Sequence, residues 1–317
     1  MHAVYNPSHM KCLVTGGAGF IGSHLVDALI ARGHRVLIID DLSSGTRANI
    51  NTKAEFKKMD IRNQRIAKLV ADWKPDAVFH LAAQISVSRS VNEPVLDAET
   101  NVLATVRLLH AASESGVKRF IFAGTGGALS SEQTVLPTPE DKVAQPQSPY
   151  AIAKVASEHY GAFYRKTRGL NFASFRFGNV YGPRQNPHGE AGVIAIFAQR
   201  MLKGEPVRIN GTGKQTRDYV YVDDVVRALL SGLKKPNAAG PYHVGTGIET
   251  DVNHLFKSVA KLIGYKLKPL KGPADKGAPL RSALDGRKIK RELGWKPEVE
   301  LDEGLGLTVE WFRSRTV

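Results

Sequence analysis

The sequence predicts an α/β protein in which a doubly wound parallel sheet is followed by a smaller, mixed C-terminal domain. The first observation is that short apolar runs alternate with segments of helical periodicity over the first half of the chain. The second is a glycine-rich turn at residues 15–22, between the first apolar run and the first helical segment. The third is that this alternation breaks up after Pro183, where we expect shorter elements and more loops.

The glycine-rich turn is typical of the start of a dinucleotide-binding unit. Gly16, Gly19 and Gly22 follow the predicted strand 11–14 and open the predicted helix 23–31. Gly16 permits the tight turn, Gly19 lets the backbone approach a pyrophosphate, and Gly22 lets the helix pack closely on the strand. Because the chain has 30 glycines, this spacing also arises by chance. On the triplet alone, an empty strand-to-helix turn therefore remains an alternative.

The second predicted strand favours the dinucleotide hypothesis. It covers residues 35–39 and ends in Asp40 and Asp41, with Asp40 placed 18 residues beyond Gly22. A carboxylate at this point accepts hydrogen bonds from the adenosine ribose hydroxyls and repels a 2′-phosphate. The sequence therefore predicts NAD rather than NADP as the cofactor.

The remaining elements continue the alternation of strand and helix. Residues 130–149 predict a loop, and residues 1–9 show no periodic pattern and are excluded from the fold prediction. We expect a dinucleotide-binding domain over 10–182 together with 217–245, and a substrate domain over 183–216 and 246–317. Further strands are predicted at 55–59, 76–83, 118–123 and 171–176, and helices at 97–114, before Gly116, and 149–168, after Ser148.

Composition excludes several classes of protein. The 317 residues, 42% hydrophobic and 23% charged, are those of an ordinary globular protein, and we expect no membrane span, signal peptide or metal site. The single cysteine, Cys12, excludes an internal disulfide and fits a cytoplasmic setting. The formal net charge of +14 raises a nucleic-acid hypothesis. However, the basic residues are scattered, no nucleic-acid motif is present, and an anionic small substrate would benefit from the same field.

A tyrosine and a lysine at helical spacing are candidate catalytic residues. Tyr150 and Lys154 lie four residues apart at the start of a predicted helix, so their side chains share one face. Thr125 follows the fifth strand at its carboxyl end, where ligands collect in such sheets. A tyrosine titrates near 10, and we expect the lysine charge and a nicotinamide cation to bring its pKa toward neutral pH. The alternative is a tyrosine and a lysine on a solvated helix face.

Eight stretches in register resemble the extended short-chain dehydrogenase/reductases, and within that family the UDP-glucose 4-epimerase branch. They cover almost the whole chain from Met10 onward. The stretches are TGGAGFIGSHLVD (15–27), DDLSSG (40–45), HLAAQ (80–84), FAGTGGA (122–128), SPYAIAK (148–154), FRFGNVYGPRQNP (175–187), NGTGKQTRDYVYVDD (210–224) and KRELGWKP (290–297).

The resemblance implies roles for particular positions. It also implies a homodimer in which the 97–114 and 149–168 helices form an intersubunit four-helix bundle. Tyr150, Lys154 and Thr125 would be catalytic. The implied substrate contacts are Ser86, Thr125, Tyr150, Asn179, Val193, Arg217, Arg281 and Ser282. The implied cofactor contacts are Gly16, Gly19, Phe20, Ile21, Gly22, Asp40, Asp41, Ser43, Ser44, Gly45, Asp60, Ile61, Leu81, Ala82, Ala83, Asn101, Tyr150, Lys154 and Phe177.

The chain departs from the family pattern at three places. Gly124 stands where the family usually has serine, and Leu129 where it has tyrosine. A family arginine is missing before Gly277, so Lys276 or Arg281 is expected to take over that phosphate contact.

The residues after Thr125 guide the choice of reaction within the family. Gly126 and Gly127 stand where the 4,6-dehydratases carry an acidic pair. The decarboxylases usually keep a glutamate at the second of these positions, two residues after the Ser/Thr. The resemblance therefore implies inversion of C4 of a UDP-hexose through a 4-keto sugar, with Ser282 small enough to admit N-acetylated sugars as well. The alternatives are another UDP-sugar enzyme such as a uronate 4-epimerase, a catalytically silent NAD-binding module and, least favoured, a nucleic-acid binder.

Overall fold

The computed structural model describes residues 9–126, 135–188, 192–235, 237–274 and 279–315. The strands of this part of the chain are β1 Lys11–Thr15, β2 Arg35–Asp40, β3 Glu55–Lys58, β4 Ala77–His80, β5 Arg119–Thr125, β6 Phe172–Phe177, β7 Asn179–Tyr181, β8 Arg208–Asn210, β9 Thr216–Arg217, β10 Tyr219–Tyr221, β11 Tyr242–Val244, β12 Thr250–Asp251 and β13 Leu270–Gly272.

Seven of these strands form one sheet in the order β3-β2-β1-β4-β5-β6-β11, with every neighbouring pair parallel. The order reverses between β1 and β4, which leaves a crevice at their carboxyl ends. Cys12, Leu13 and Val14 of β1 are fully buried, as expected for a parallel strand that is covered on both faces. The predicted doubly wound α/β sheet is therefore confirmed.

Helices cover both faces of the sheet. A short 3₁₀ turn lies at Arg47–Asn49 and a π-helical turn at Glu99–Leu103. The α-helices are α1 Phe20–Ala31, α2 Ile66–Trp73, α3 Val87–Asn92, α4 Pro94–Ala98, α5 Ala104–Glu114, α6 Pro149–Arg168, α7 Val193–Leu202, α8 Val222–Lys234, α9 Val252–Ile263, α10 Arg287–Leu293 and α11 Leu301–Arg313. Within the described ranges, no helix is long and apolar enough to span a membrane.

The ends of α6 follow the capping rules that predicted it. The Ser148 hydroxyl oxygen accepts a hydrogen bond from the Ala151 N–H at 3.2 Å, and Pro149 occupies the first turn. At the other end Gly169 adopts a left-handed conformation with φ +70°. The predicted helix over 149–168 is confirmed, and it holds Tyr150 and Lys154 at the carboxyl edge of the sheet.

The structure differs from the prediction in three places. The helix predicted over 97–114 consists of the end of α4, the π turn and α5. A π turn inserts extra residues into the helical path while the apolar positions on either side keep their helical spacing, so the periodicity does not reveal it. Helix α2 was not predicted, and the strand predicted over 76–83 ends at His80, from which a loop leads to the crevice.

Three apolar cores follow from this arrangement. One packs α1 and α8 against one face of the sheet, for example through Leu25 and Leu229, and a second packs α2 and α5 against the other face. A third core joins α7, α9 and α11 in a smaller lobe, with Phe197 and Leu255 fully buried. The shorter elements predicted after Pro183 are therefore present. The exact domain bounds remain a prediction.

Candidate functional site

The glycine turn forms a cradle of bare backbone beside the crevice. Gly16 has φ +73°, and a Cβ there would lie 2.7 Å from the Ala82 nitrogen. A Cβ on Gly22 would overlap the Gly16 carbonyl oxygen, and one on Gly19 would lie 3.2 Å from that oxygen. Side chains at these positions would close the approach to the start of α1. Because its N–H groups and helix dipole favour phosphate charge, the cradle fits the pyrophosphate of NAD.

The carboxylate of Asp40 ties this cradle to the next loop. Its Oδ2 accepts the Ala18 N–H at 3.0 Å and its Oδ1 accepts the Leu42 N–H at 2.8 Å. Burial raises the pKa of this carboxyl, and the two backbone donors oppose the rise. Since each carboxylate oxygen can accept a second hydrogen bond, Asp40 remains able to accept from ribose hydroxyls.

A cavity of about 370 Å³ opens beside the cradle. The predicted cofactor residues that line it are Gly16, Asp40, Asp41, Ser43, Ser44, Asp60, Ile61, Ala82 and Ala83. It is also lined by residues that the sequence analysis missed, namely Met59, Arg62, Gln84, Ile85, Arg89, Leu96 and Thr100. Arg62 forms an ion pair of 2.6 Å with Asp60 and lowers the pKa of that carboxyl. It follows Asp60 and Ile61 directly in sequence, which is the feature that could have pointed to it.

Other predicted cofactor residues lie around the cradle rather than in the lining of this cavity. Gly45 packs against Ala18, where a Cβ would lie 2.9 Å from the Ala18 carbonyl. Phe20 and Ile21 are in the first turn of α1 and Leu81 is in the loop after β4, all partly buried. Asn101 of the π turn and Phe177 at the end of β6 are buried.

Thr125, Tyr150 and Lys154 come together at the carboxyl end of β5. The Thr125 side chain lies close enough to the Tyr150 phenol to lower its pKa as a hydrogen-bond partner. The Lys154 ammonium donates to the Ala123 carbonyl oxygen at 3.0 Å and lies 6.0 Å from the centre of the Tyr150 ring. The side chains of Tyr150 and Lys154 thus point toward the sheet, so the solvated-face alternative does not hold.

The protein chain shifts the pKa values of Tyr150 and Lys154. Burial raises it to about 12, the Thr125 hydrogen bond opposes the rise, and the negative charge of Asp97 adds to it. Burial lowers the pKa of Lys154 to about 8, against the opposing charges of Glu158 and Asp97. Burial is therefore the dominant influence on the pKa of Tyr150 in the protein chain by itself, and the expectation, which includes a bound nicotinamide cation, stays a prediction for the protein with NAD.

The predicted substrate residues are spread along the smaller lobe and its borders. Asn179 is exposed at the start of β7, and Val193 is the first residue of α7. Ser86 caps α3, where its hydroxyl oxygen accepts the Arg89 N–H at 2.9 Å. Arg217, in β9, donates from Nη1 to the Pro279 carbonyl oxygen at 2.9 Å.

The segment beginning at Pro279 runs beside β9. The Thr216 N–H donates to the Leu280 carbonyl oxygen at 2.9 Å. Arg281 is 64% exposed and paired with Glu249, to which its Nε donates at 2.8 Å. Ser282 is 4% exposed. Lys276 and the changed glycine region at 275–277 lie outside the described residues, as do Leu129 and Gly127.

The packing around Gly124 explains why a glycine stands where the family usually has serine. A Cβ there would lie 2.7 Å from the Ser174 Oγ and 2.8 Å from the Glu158 Oε1. The Glu158 carboxylate is fixed in that place by a buried ion pair of 2.6 Å with Arg176. A serine at 124 would displace this pair.

Within the described residues, no group of histidine, cysteine, aspartate or glutamate side chains could hold a metal ion.

Comparison with known proteins gives consistent matches over nearly the full chain. The UDP-glucose 4-epimerase of Mycolicibacterium smegmatis is 46% identical over 97% of this chain and 100% of its own length. The structure of UDP-glucose 4-epimerase from Thermotoga maritima with UDP-glucose matches with a TM-score of 0.95 and 49% identity, over 97% of this chain and 100% of that one.

A second solved structure, the Thermus thermophilus UDP-glucose 4-epimerase in complex with NAD, matches with a TM-score of 0.90. It is 43% identical over 96% of this chain and 99% of its own. The profile of the NAD dependent epimerase/dehydratase family matches residues 12–245. The chain therefore belongs to the NAD dependent epimerase/dehydratase family.

Proposed function

We propose that this enzyme inverts C4 of a UDP-hexose, interconverting UDP-glucose and UDP-galactose, with a tightly bound NAD. The observation that carries the proposal is that the Thr125, Tyr150 and Lys154 cluster lies at the same carboxyl edge of the parallel sheet as the cradle whose cavity fits NAD. The similarity to UDP-glucose 4-epimerases over nearly the whole chain supports it.

In this mechanism Tyr150 is the general base. Its phenolate takes the proton of the C4 hydroxyl and later returns it, while Thr125 hydrogen-bonds the same oxygen and orients it. The glycine cradle and Asp40 would hold NAD, which would supply a positively charged ring that favours the phenolate and a hydride acceptor for the reversible oxidation of C4. The hydrogen bond from the Lys154 ammonium to the Ala123 carbonyl oxygen fixes the position of the ammonium. Lys154 thereby holds a positive charge close to the phenol.

The packing after Thr125 supports epimerisation over elimination of water. Gly126 ends the described part of this loop, and a Cβ there would overlap the side chain of Leu284. An acidic side chain at 126 could not be accommodated without moving Leu284. With no acid at this position, the 4-keto sugar is expected to be reduced again rather than dehydrated.

We further propose that Arg217 and Asn179 bind the UDP part of the substrate, with Val193 beside the uracil or ribose. Arginine suits a diphosphate because its guanidinium donates charge-assisted hydrogen bonds in pairs. Arg281 is expected to share the phosphate contact. Its ion pair with Glu249 on the protein surface is exposed and therefore weak enough to exchange.

The reaction is tested directly by incubating the purified enzyme with UDP-glucose or UDP-galactose and identifying the products by NMR. The C4 epimer of the added sugar is the expected product. The N-acetylated and uronate counterparts are run in parallel. Turnover of the uronates alone would favour the uronate 4-epimerase, and binding of NAD without any turnover would favour a silent NAD-binding module.

We also propose a homodimer formed through α3, α4, the π turn and α6. These neighbouring helices expose large apolar side chains, with Val91 60%, Val95 72%, Leu103 55%, Ile152 54% and Phe163 53% accessible. Large exposed apolar side chains on neighbouring helices are typical of a surface covered by a partner, and a second copy offers the same surface across a two-fold axis. Light scattering should give twice the mass of the 34.5 kDa chain, and Val95→Glu should give a single chain. A monomeric wild type would contradict the proposal.

The cytoplasm is the compartment we propose for this enzyme. The single cysteine, Cys12, is buried in β1, which suits a reducing compartment. Fractionation of the native cells, followed by immunodetection, would test this assignment.

A further inference from the structure

One buried carboxylate beside the candidate active site has no role in the mechanism above. Asp97, in α4, is 1% exposed. Its Oδ1 accepts hydrogen bonds from the Gln84 Nε2 and the Asn101 Nδ2, both at 2.9 Å. Within the part of the chain that the structure describes, no group donates to its Oδ2. A buried carboxylate with one oxygen unpartnered is costly and calls for a compensating charge nearby.

The Oδ1 contacts join Asp97 to the wall of the cofactor cavity. Besides its bond to Asp97, the Asn101 amide is bonded to the backbone of Gln84 through both of its ends, at 3.0 and 2.8 Å. Gln84 and its neighbours Ala82, Ala83 and Ile85 line the cavity. The carboxylate therefore fixes the two amides that hold this loop in place.

The second connection leads from Asp97 to Lys154. The carboxylates whose charges act on the Lys154 ammonium are Glu158, in the same helix, and Asp97. Glu158 is already neutralised, because both of its oxygens accept from Arg176 and one also accepts from the Ser174 hydroxyl at 2.6 Å. Burial raises the pKa of the Asp97 carboxyl, and the Gln84 and Asn101 amides together with the charge of Lys154 oppose the rise.

The other titratable groups nearby do not supply the missing charge. Burial raises the pKa of Tyr150 to about 12, so the phenol is neutral in the resting chain. His80, in β4, hydrogen-bonds Thr15 at 2.7 Å and Thr105 at 2.9 Å, and burial with the nearby Lys154 charge lowers its pKa to about 3. Both are uncharged at neutral pH, which leaves Asp97 and Lys154 to balance each other.

We propose that Asp97 is a positioning residue of the active site, whose ionised carboxylate both fixes the Gln84 and Asn101 amides and serves as the counter-charge of the Lys154 ammonium. Its side chain contacts Gln84 and Asn101, and it acts through these two residues and Lys154. This inference rests on the proposed function for its catalytic consequence, whereas its electrostatic part can be tested without turnover.

The decisive variant is Asp97→Asn, which keeps an oxygen for the two amides and removes the charge. Asp72→Asn is the matched control, since Asp72 forms an exposed helical ion pair with Lys68. In wild type, Lys154 has its folded pKa lowered to about 8 from 10.5. Between these two pH values the Lys154 amine is protonated in the unfolded chain and deprotonated in the folded chain. Lys154 therefore makes the free energy of unfolding rise with pH over this range.

In Asp97→Asn the folded pKa of Lys154 falls further, so the rise in stability should start at a lower pH, by roughly one pH unit. Thermal unfolding of the NAD-saturated protein, measured from pH 6 to 10 and compared with Asp72→Asn, reads this shift. The alkaline limb of the kcat profile should move in the same direction. Profiles of Asp97→Asn that coincide with those of Asp72→Asn would overturn the proposal.

A second measurement covers the case in which Asp97→Asn alone does not accumulate. In a Lys154→Met background the carboxylate has no cation to balance, so the double variant with Asp97→Asn should accumulate and melt no lower than Lys154→Met alone. A double variant that melts lower than Lys154→Met, or that does not accumulate, would overturn the proposal. If wild type unfolds as expected but turns over no UDP-sugar, the proposed function fails and the role of Asp97 toward Lys154 is still decided by the unfolding data.

Discussion

The cofactor side and the substrate side of the cleft are built from different materials. On the cofactor side the main features are bare backbone at Gly16 and Gly22 and a carboxylate, Asp40, that holds two backbone N–H groups. On the substrate side the candidate contacts are long side chains, such as Arg217 and Arg281, on a two-residue strand and a connecting segment. The cofactor side depends on the absence of side chains at the glycines, whereas the substrate side depends on where flexible side chains are held. Substitutions should therefore act differently on the two sides.

The largest loss of turnover is expected from substitution of Tyr150, which lies between the cofactor side and the substrate side. Tyr150→Phe removes the base and leaves the ring, so we expect turnover to fall by at least ~100-fold, as is usual for a general base, with bound NAD retained. Turnover of UDP-galactose and the NAD content of the denatured supernatant are the measurements. Tyr160→Phe, on the exposed face of the same helix, is the control. Near-full activity of Tyr150→Phe would contradict the mechanism.

On the cofactor side, adding one methyl group should be enough to abolish binding. Gly22→Ala brings a Cβ onto the Gly16 carbonyl oxygen, so the turn must shift, and we expect the protein to purify without NAD(H) and to melt at a lower temperature. Gly306→Ala is the matched control, because Gly306 lies in α11 with no atom within 4 Å of a Cβ. That variant should keep its NAD and gain up to ~1 kcal/mol of stability. A Gly22→Ala protein with a full complement of NAD would refute the cradle.

On the substrate side, a larger residue should change selectivity rather than abolish activity. We expect wild type to interconvert UDP-GlcNAc and UDP-GalNAc as well as the plain hexoses, because Ser282 is small and is predicted to border the C2 substituent. Ser282→Tyr should lower turnover of the acetylated sugars by tenfold or more, since overfilling a packed site costs ~1–3 kcal/mol, and it should spare UDP-galactose. Ser282→Ala is the control. Absence of wild-type activity on acetylated sugars would show that Ser282 is not the limiting residue.

A smaller effect is expected when a charge on the cofactor side is neutralised without a change of shape. Asp40→Asn loses one of the two backbone N–H bonds, because its amide NH2 cannot accept. It also weakens hydrogen bonds to the ribose by about 1.5 kcal/mol and removes the repulsion of a 2′-phosphate. The preference for NAD over NADP should then fall roughly tenfold. Binding of the two cofactors by calorimetry measures it, with Asp41→Asn as the comparison. NADP(H) in the wild-type preparation would argue against the assignment of Asp40.

The difference between the cofactor side and the substrate side also explains which features the sequence predicts. The cradle depends on residue type and local spacing, so Gly16, Gly22 and Asp40 were found directly, and capping by Ser148 located α6 to the residue. The π turn at Glu99–Leu103 was missed because apolar periodicity does not register it. The roles of Arg281 and Ser282 depend on the register of the chain near Pro279, which short motifs do not determine, and those roles stay predictions.

Asp97 was missed for another reason. A single acidic residue in a helical pattern normally indicates a solvated face, and nothing local distinguishes Asp97 from Asp72. Its position four residues before Asn101, on the same helical face, was the one available indication. Its surroundings come from Gln84 and Lys154, which are distant in sequence, so its burial follows only from the tertiary packing.

The position of β11 in the sheet has a consequence for synthesis of the chain. Every residue of β6, Phe172–Phe177, is buried, and its outer neighbour is β11, Tyr242–Val244. While the ribosome makes the intervening smaller-lobe elements, the nascent sheet therefore presents an unpaired and strongly apolar edge, the kind of surface on which strands of other molecules add. Such a late parallel pairing also raises the contact order and slows folding. This edge consequently stays open to such additions until residues 242–244 have been made and have paired with β6.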